Sequence, residues 1–419
     1  MVVATPALAQ VEVAQLAAPD YFSLGQRDTG LPADLWRGTS PDLARELLPI
    51  LGRKPLSPAA TALARRLLAA GAAGPEGVGR DPELAAARVR ALLALGDPDA
   101  AWAAVERAPN MPGSAALSEA AAETALILGH DDVACHVSDQ LSAGRGELYW
   151  LRLRAFCQAM AGQTDAAQLT LTLASEKQRD PVLSRLLGAV IAGAGDPGPA
   201  SLRNGLEFAL SGHLFLDWAP ALPGASPAVA AVVRGVPAPP LASGDPVTDI
   251  RAAVLVGDVD QARTLRATLI QDQPGVSATG LAMLDALIAA AAGQSDGPTL
   301  DRLVERGALE GQRSIGQSAA LLFSALGSPM GPLARAEFAR FDLGKNAAPA
   351  ARLAAMDIAA EAGLKGETAL LALSIAADLG PTGTWSVDRA RIVRALARVG
   401  LEREARALAI EGLLALPVK

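Results

Sequence analysis

Leu95-Gly96-Asp97, Leu128-Gly129-His130, Ala161-Gly162-Gln163 and Ala194-Gly195-Asp196 set four glycines at one interval (129−96, 162−129 and 195−162 all give 33). Between these glycines the chain is rich in alanine and leucine, the strongest helix formers. A glycine tolerates the positive φ that ends a helix. The spacing therefore predicts helix A, a glycine turn and helix B in each unit of 33 residues. Each such unit buries its apolar face only against its neighbours, which is the signature of an α-solenoid.

The same reading extends in both directions. Ser40-Pro41, Ser57-Pro58 and Asp81-Pro82 each pair a capping side chain with a proline at the first helical position. Downstream, Gly257, Gly293, Gly327, Gly363 and Gly400 mark a second array with intervals of 36, 34, 36 and 37, from the differences of those positions. Pro220, Pro223, Pro227, Pro237, Pro239 and Pro240 separate the two arrays, because so many prolines cannot lie inside helices. Ala228 to Val233 is the one stretch there that reads as a short helix. The expected organisation is a signal-peptide remnant at 1–9, an extended lead-in at 10–40 and a first array at 41–218. A Pro-rich linker or irregular lobe follows at 219–246, then a second array at 247–419 that ends in a capping helix with one wetted face. The fold class is all-α with little or no β-structure, consistent with an aromatic content of only 3%.

Five residues after the turn glycine stands a small residue: Ala101, Ala134, Ala167, Ala262 and Ala405. Twelve after it, in the first array, stand Ala108, Leu141 and Ala174, with Leu141 the one departure. This pattern resembles that of tetratricopeptide-like helical-hairpin repeats, where helix B needs a small residue at the point helix A crosses it. The Trp and Tyr signature of that family's helix A is mostly missing. The resemblance implies stacked antiparallel helix pairs and a surface for protein or peptide partners, and it covers most of the chain.

The 419 residues carry a net charge of −7 and no Lys/Arg run, which argues against nucleic acid. No apolar stretch reaches the roughly 20 residues that span a bilayer; the longest, Leu281 to Ala292, contains Asp285. Ala7-Leu8-Ala9 before Gln10 resembles a signal-peptidase site. It is either the remnant of a signal peptide, which places the protein in the periplasm or outside the cell, or chance in an alanine-rich chain.

Cys135 and Cys157 are the only cysteines. They stand at similar depths in an antiparallel helix pair around Gly144-Arg145-Gly146. They form either a disulfide, as an oxidising compartment favours, or two small buried thiols. His130 and His136 are six apart, whereas helical metal pairs prefer three or four, so no metal site is expected. Gly344-Lys345 is not a P-loop, because Ala339 stands where its first glycine would be. No G-x-S-x-G elbow or dinucleotide-binding glycine motif occurs, and neither a catalytic residue nor a cofactor is expected. Trp102, Trp150, Arg152 and Arg154 are the candidate partner-binding residues, since Trp and Arg anchor many interfaces; packing between repeats is the other use of the two tryptophans.

Three functions follow as expectations. The first is a non-enzymatic extracytoplasmic scaffold or adaptor in a bacterial envelope assembly for motility, cell-wall synthesis or export. The others are a cytoplasmic adaptor and a non-catalytic helical subunit of a cell-wall enzyme.

Overall fold

A computed structural model describes residues 20–26, 28–193, 195–234, 243–269, 275–345, 347–381 and 385–418. The Ala7–Ala9 motif, the first part of the lead-in and the prolines at 237, 239 and 240 lie outside the described residues. The chain folds into α1 (Pro41–Leu51), α2 (Pro58–Ala69), α3 (Pro82–Ala94), α4 (Pro98–Val105), α5 (Ala115–Ile127), α6 (Asp131–Gln140) and α7 (Leu148–Met160). Next come α8 (Thr164–Lys177), α9 (Pro181–Ala192), α10 (Gly205–His213) and α11 (Pro227–Arg234). The second half holds α12 (Pro246–Leu255), α13 (Val259–Thr268), α14 (Ala278–Ala291), α15 (Gly297–Glu310) and α16 (Ile315–Ser324). It ends with α17 (Pro332–Phe338), α18 (Ala350–Glu361), α19 (Lys365–Leu379), α20 (Ser386–Arg398) and α21 (Glu402–Ala415). Among the described residues there is no sheet, only an isolated bridge between Gln26 and Ala70.

Local chemistry sets the helix ends. Ser40, Ser57, Asp81 and Asp97 each accept a backbone N–H from the first turn of the helix they precede, and each is followed by proline. At the turns, Gly96 N–H bonds to Leu93 O at 2.9 Å and Asp97 N–H to Leu92 O at 3.0 Å. Gly129 with His130, and Gly162 with Gln163, repeat the pair. This double bond satisfies the last carbonyls of helix A and needs a residue at positive φ; Gly96 has φ +75°. Gly257, Gly293, Gly363 and Gly400 build the same turn in the second half.

The fourth glycine of the first array departs from the expectation. Helix α9 stops earlier, on Gly193 (φ +62°), and Gly195 lies beyond it. No helix B follows, because Asp196-Pro197-Gly198-Pro199 puts two prolines around a glycine at φ +62°. Asp196 instead accepts from Gly198 N–H at 2.7 Å.

Helices adjacent in sequence pack in antiparallel pairs, among them α3 with α4, α5 with α6, α7 with α8, α12 with α13, α18 with α19 and α20 with α21. The five alanines that follow the turns, Ala101, Ala134, Ala167, Ala262 and Ala405, are all 0% exposed, as close crossing of A and B helices requires.

Stacking between pairs does not follow chain order. Helix α1 lies between α3 and α19, α2 packs on both α19 and α21, and α21 also meets α14 and α16. One hydrophobic core consequently runs from Tyr21 to Leu416, and α1 and α2 join the two arrays, each packing on helices of both. Helix α21 is therefore not an outer cap. Its Ala405, Leu408, Ala409 and Leu413 are buried, and Glu404, 7% exposed, pairs with Arg66 of α2. Glu411 accepts from Ala59 N–H at 2.6 Å and pairs with Arg389 at 3.0 Å, while Glu402 and Arg403 in the first turn are exposed.

The lead-in is anchored in the same core. Phe22 and Trp36 meet edge-on at 5.7 Å. Arg88 of α3, 1% exposed, donates to the carbonyls of Leu68, Ala70, Tyr21, Phe22 and Leu24. Burial lowers its pKa to about 10, so it stays cationic. In the Pro-rich segment, α11 forms as a helix and packs on α3, α4 and α5 with Val229 fully buried.

Candidate functional site

The B helix of the second repeat and the A helix of the third, α6 and α7, are joined by Cys135–Cys157, with S–S 1.99 Å and Cα–Cα 5.6 Å. Trp150, on α7, is 0% exposed and belongs to a second core formed by α5 to α10, so its ring packs inside the molecule. Trp102 is half-buried against both cores, with its ring 5.9 Å from that of His130. Arg154 donates to the Arg145 carbonyl at 2.9 Å. Of the four side chains singled out by residue type, Arg152 lines a cavity.

The histidines take local partners. His136 Nε2 meets Gln140 at 2.8 Å, and His213 Nε2 meets Asp131 Oδ2 at 2.6 Å. Among the described residues no cluster of His, Cys, Asp and Glu is arranged to hold a metal ion.

Helix α10 determines what the first array presents. It packs on α5 and α9, and Leu206 and Leu210 join Trp150, Phe156, Leu183 and Leu187 in the second core. The approach to α5 needs glycine at position 205, where a Cβ would sit 2.9 Å from the Glu123 carbonyl oxygen and 3.0 Å from Leu126 Cβ. The array thus covers its own A-helix face with a segment of the same chain.

Beside the start of α10 a cleft of about 290 Å³ remains open between α3, α5, α7 and α9. Leu93, Ala120, Leu183 and Leu206 supply its apolar wall. Four carboxylates, Glu119, Glu123, Asp180 and Glu207, face two guanidiniums, Arg90 and Arg152. Glu207 accepts from Arg203 Nε at 2.8 Å, from Asn204 Nδ2 at 3.1 Å and from Ser201 Oγ. Asp180 caps α9 and has Arg152 at 3.5 Å and Arg203 at 3.4 Å. Glu119 has Arg90 at 3.7 Å.

Glu123 differs from these. One oxygen accepts from Gly205 N–H, and among the described residues no Lys or Arg forms an ion pair with it. Burial, with the nearby charges of Glu119 and Glu207, raises its carboxyl to about 7, although the Gly205 bond and the Tyr149 hydroxyl work against this. The Tyr149 hydroxyl is buried against Glu123, its one hydrogen-bonding neighbour, without a well-formed bond. Burial first, then the charge of Glu123, pushes its pKa well above that of a free phenol.

A second cavity, about 620 Å³, lies between α15 and α17. Helix α17 packs on α15 and buries none of its own residues. Leu309 is 73% exposed and Leu333 85% exposed, and both line this groove with Val304, Ala308 and Ala334. Asp301, Glu305 and Glu337 form its acidic rim.

Residue-type reasoning missed Glu123, Leu309 and Leu333. Glu123 is one acid within an alanine helix, and nothing in its spacing marks it. Leu333 did carry a faint signal, as a leucine directly after Gly331-Pro332 in a unit with no long apolar stripe. No helix among the described residues is long and apolar enough to cross a membrane. No protein-family model matches the chain, and no curated protein or solved structure matches it either.

Proposed function

We propose that this protein is a non-enzymatic helical-repeat scaffold working outside the cytoplasm, and that it docks a protein partner in the groove between α15 and α17. The observation that carries the reading is the pair Leu309 and Leu333, two of the most exposed large apolar side chains, on facing walls of one groove. Contiguous exposed apolar surface rimmed by polar residues marks an interaction site. An apolar floor between two helices suits an amphipathic helix, and the acidic rim favours a helix with basic flanks. Placement outside the cytoplasm draws support from the joined Cys135–Cys157 pair. Among envelope assemblies, those for motility, cell-wall synthesis and export suit a part of this kind.

Two measurements test the reading. A 14-residue Leu/Lys amphipathic helix carrying a fluorophore should bind the purified protein, and Leu309→Asp with Leu333→Asp should abolish binding. A scrambled peptide of equal composition that binds equally well would refute the docking groove. Intact mass of the protein from its native cell, with and without reductant, tests the compartment. An oxidised pair supports export, whereas reduced thiols favour the cytoplasmic adaptor.

A further inference from the structure

We propose that the cleft at the start of α10 binds an alkyl-linked cation, a primary ammonium or a guanidinium, with the charge on Glu123 and the stem along Leu93, Leu183 and Leu206. This site is separate from the α15–α17 groove and does not depend on it.

The argument is one of charge and hydrogen-bond accounting. Glu207 has Arg203, Asp180 has Arg152 and Arg203, and Glu119 has Arg90. Glu123 alone among the cleft's carboxylates has no cation within ion-pair distance in the described residues; its partners are Gly205 N–H and the neighbouring Tyr149 hydroxyl. The Tyr149 hydroxyl has no well-formed bond of its own. A buried charge without a counter-charge is costly. A ligand cation supplies the charge that Glu123 lacks: it donates to the carboxylate and to the lone pair of the Tyr149 hydroxyl.

Size and wall chemistry narrow the class. The cleft holds about 290 Å³, at the bottom of the range for ligand sites, roughly 300–1,000 Å³. That room suits one side chain or a short diamine rather than a nucleotide cofactor. Its apolar wall matches a methylene stem that ends in a charge, as in lysine and arginine. An anion is disfavoured, since the carboxylates outnumber the guanidiniums lining the cleft.

The site also dictates a pH response. The groups facing Glu123 are Arg90 from α3, Glu119 on α5, Tyr149 and Arg152 on α7, Asp180 before α9, and Arg203 and Glu207 at α10. Burial also raises the Glu119 carboxyl, against the pull of Arg90; among the described residues Glu123 is the one acid of the cleft without an arginine beside it. Its carboxyl, raised to about 7, must ionise to hold the cation, and binding strengthens as pH rises through that value.

Calorimetric titration of the full-length protein with 1,5-diaminopentane and with the peptide Ala-Lys-Ala tests this. At least one probe should bind about tenfold or more tightly at pH 8.5 than at pH 5.5. Glu123→Gln should lose at least about tenfold at pH 8.5, and Tyr149→Phe a few-fold. Binding of the diamine alone identifies a free amine as ligand, and binding of the peptide alone identifies a partner's lysine. No binding of either probe at millimolar concentration and pH 8.5 overturns the proposal, as does a folded Glu123→Gln that binds like the wild type. Should that variant not fold, Tyr149→Phe and the pH dependence of the wild type decide the matter.

Discussion

The two halves of the molecule are built from one unit and finish it in opposite ways. In the first, α3 to α9 stack around the glycine turns, and α10 then lies on their A-helix face, leaving a polar cleft of about 290 Å³. In the second, α12 to α21 take in the N-terminal helices α1 and α2, and α17 leaves an apolar groove of about 620 Å³ open. A repeat fixes how neighbouring helices meet. What the outer faces do is decided by the segments that break the repeat, here α10 after the failed fourth hairpin and the seven-residue α17.

The largest expected effect concerns the N-terminal segment that joins the halves. Arg88→Ala leaves five backbone carbonyls buried beneath the lead-in without their donor. It should cost at least about 3 kcal/mol in denaturant unfolding. A loss under 1 kcal/mol would mean that residues 20–26 are not held by the core.

The disulfide belongs to the first half alone. It closes a sequence separation of 22, worth roughly 3 kcal/mol in the chain-entropy picture. Reduction should raise hydrogen exchange in α6 and α7 and leave α14 to α21 as protected as before. Uniform loosening of both halves would show that they unfold as one cooperative unit.

Glu123 sharpens the polar side of the comparison. Its pKa is higher in the folded chain than the ordinary 4.5. The folded state therefore holds the proton more tightly, and stability is lost as pH rises from about 4.5 through 7. Glu123→Gln removes that loss. The variant should be more stable than the wild type at pH 8, by on the order of 1–3 kcal/mol, and match it at pH 4. Thermal unfolding at the two pH values checks the sign.

The smallest effect is expected at the groove. Leu309→Asp and Leu333→Asp alter exposed side chains, so each should change stability by less than about 0.5 kcal/mol. A loss of several kcal/mol would mean that the groove is closed in solution.

The parts of this fold that could be read from sequence are those governed by short-range constraints. Gly96, Gly129 and Gly162 are needed for a left-handed residue, Asp97 and Ser57 for a donor at a helix start, and Ala101 and Ala134 for a close crossing. Each leaves its mark within a few residues. The contacts of α1 with α19 and α2 with α21 leave none, because they join segments more than 300 residues apart. Glu404 of α21 shows this, since it reads as a surface acid until Arg66 is brought to it, while its neighbours Glu402 and Arg403 are exposed. Arg88 likewise resembles Arg90 two positions on, although one is buried and the other exposed. The candidate sites depend even more on such contacts, because a cleft and a groove are gaps between helices distant in sequence.

The most direct test of the account is hydrogen–deuterium exchange of the full-length protein with and without the Leu/Lys amphipathic peptide. The account predicts slower exchange in α15 and α17, lost when Leu309→Asp and Leu333→Asp are combined. Exchange in α15 and α17 unchanged by the peptide would contradict it.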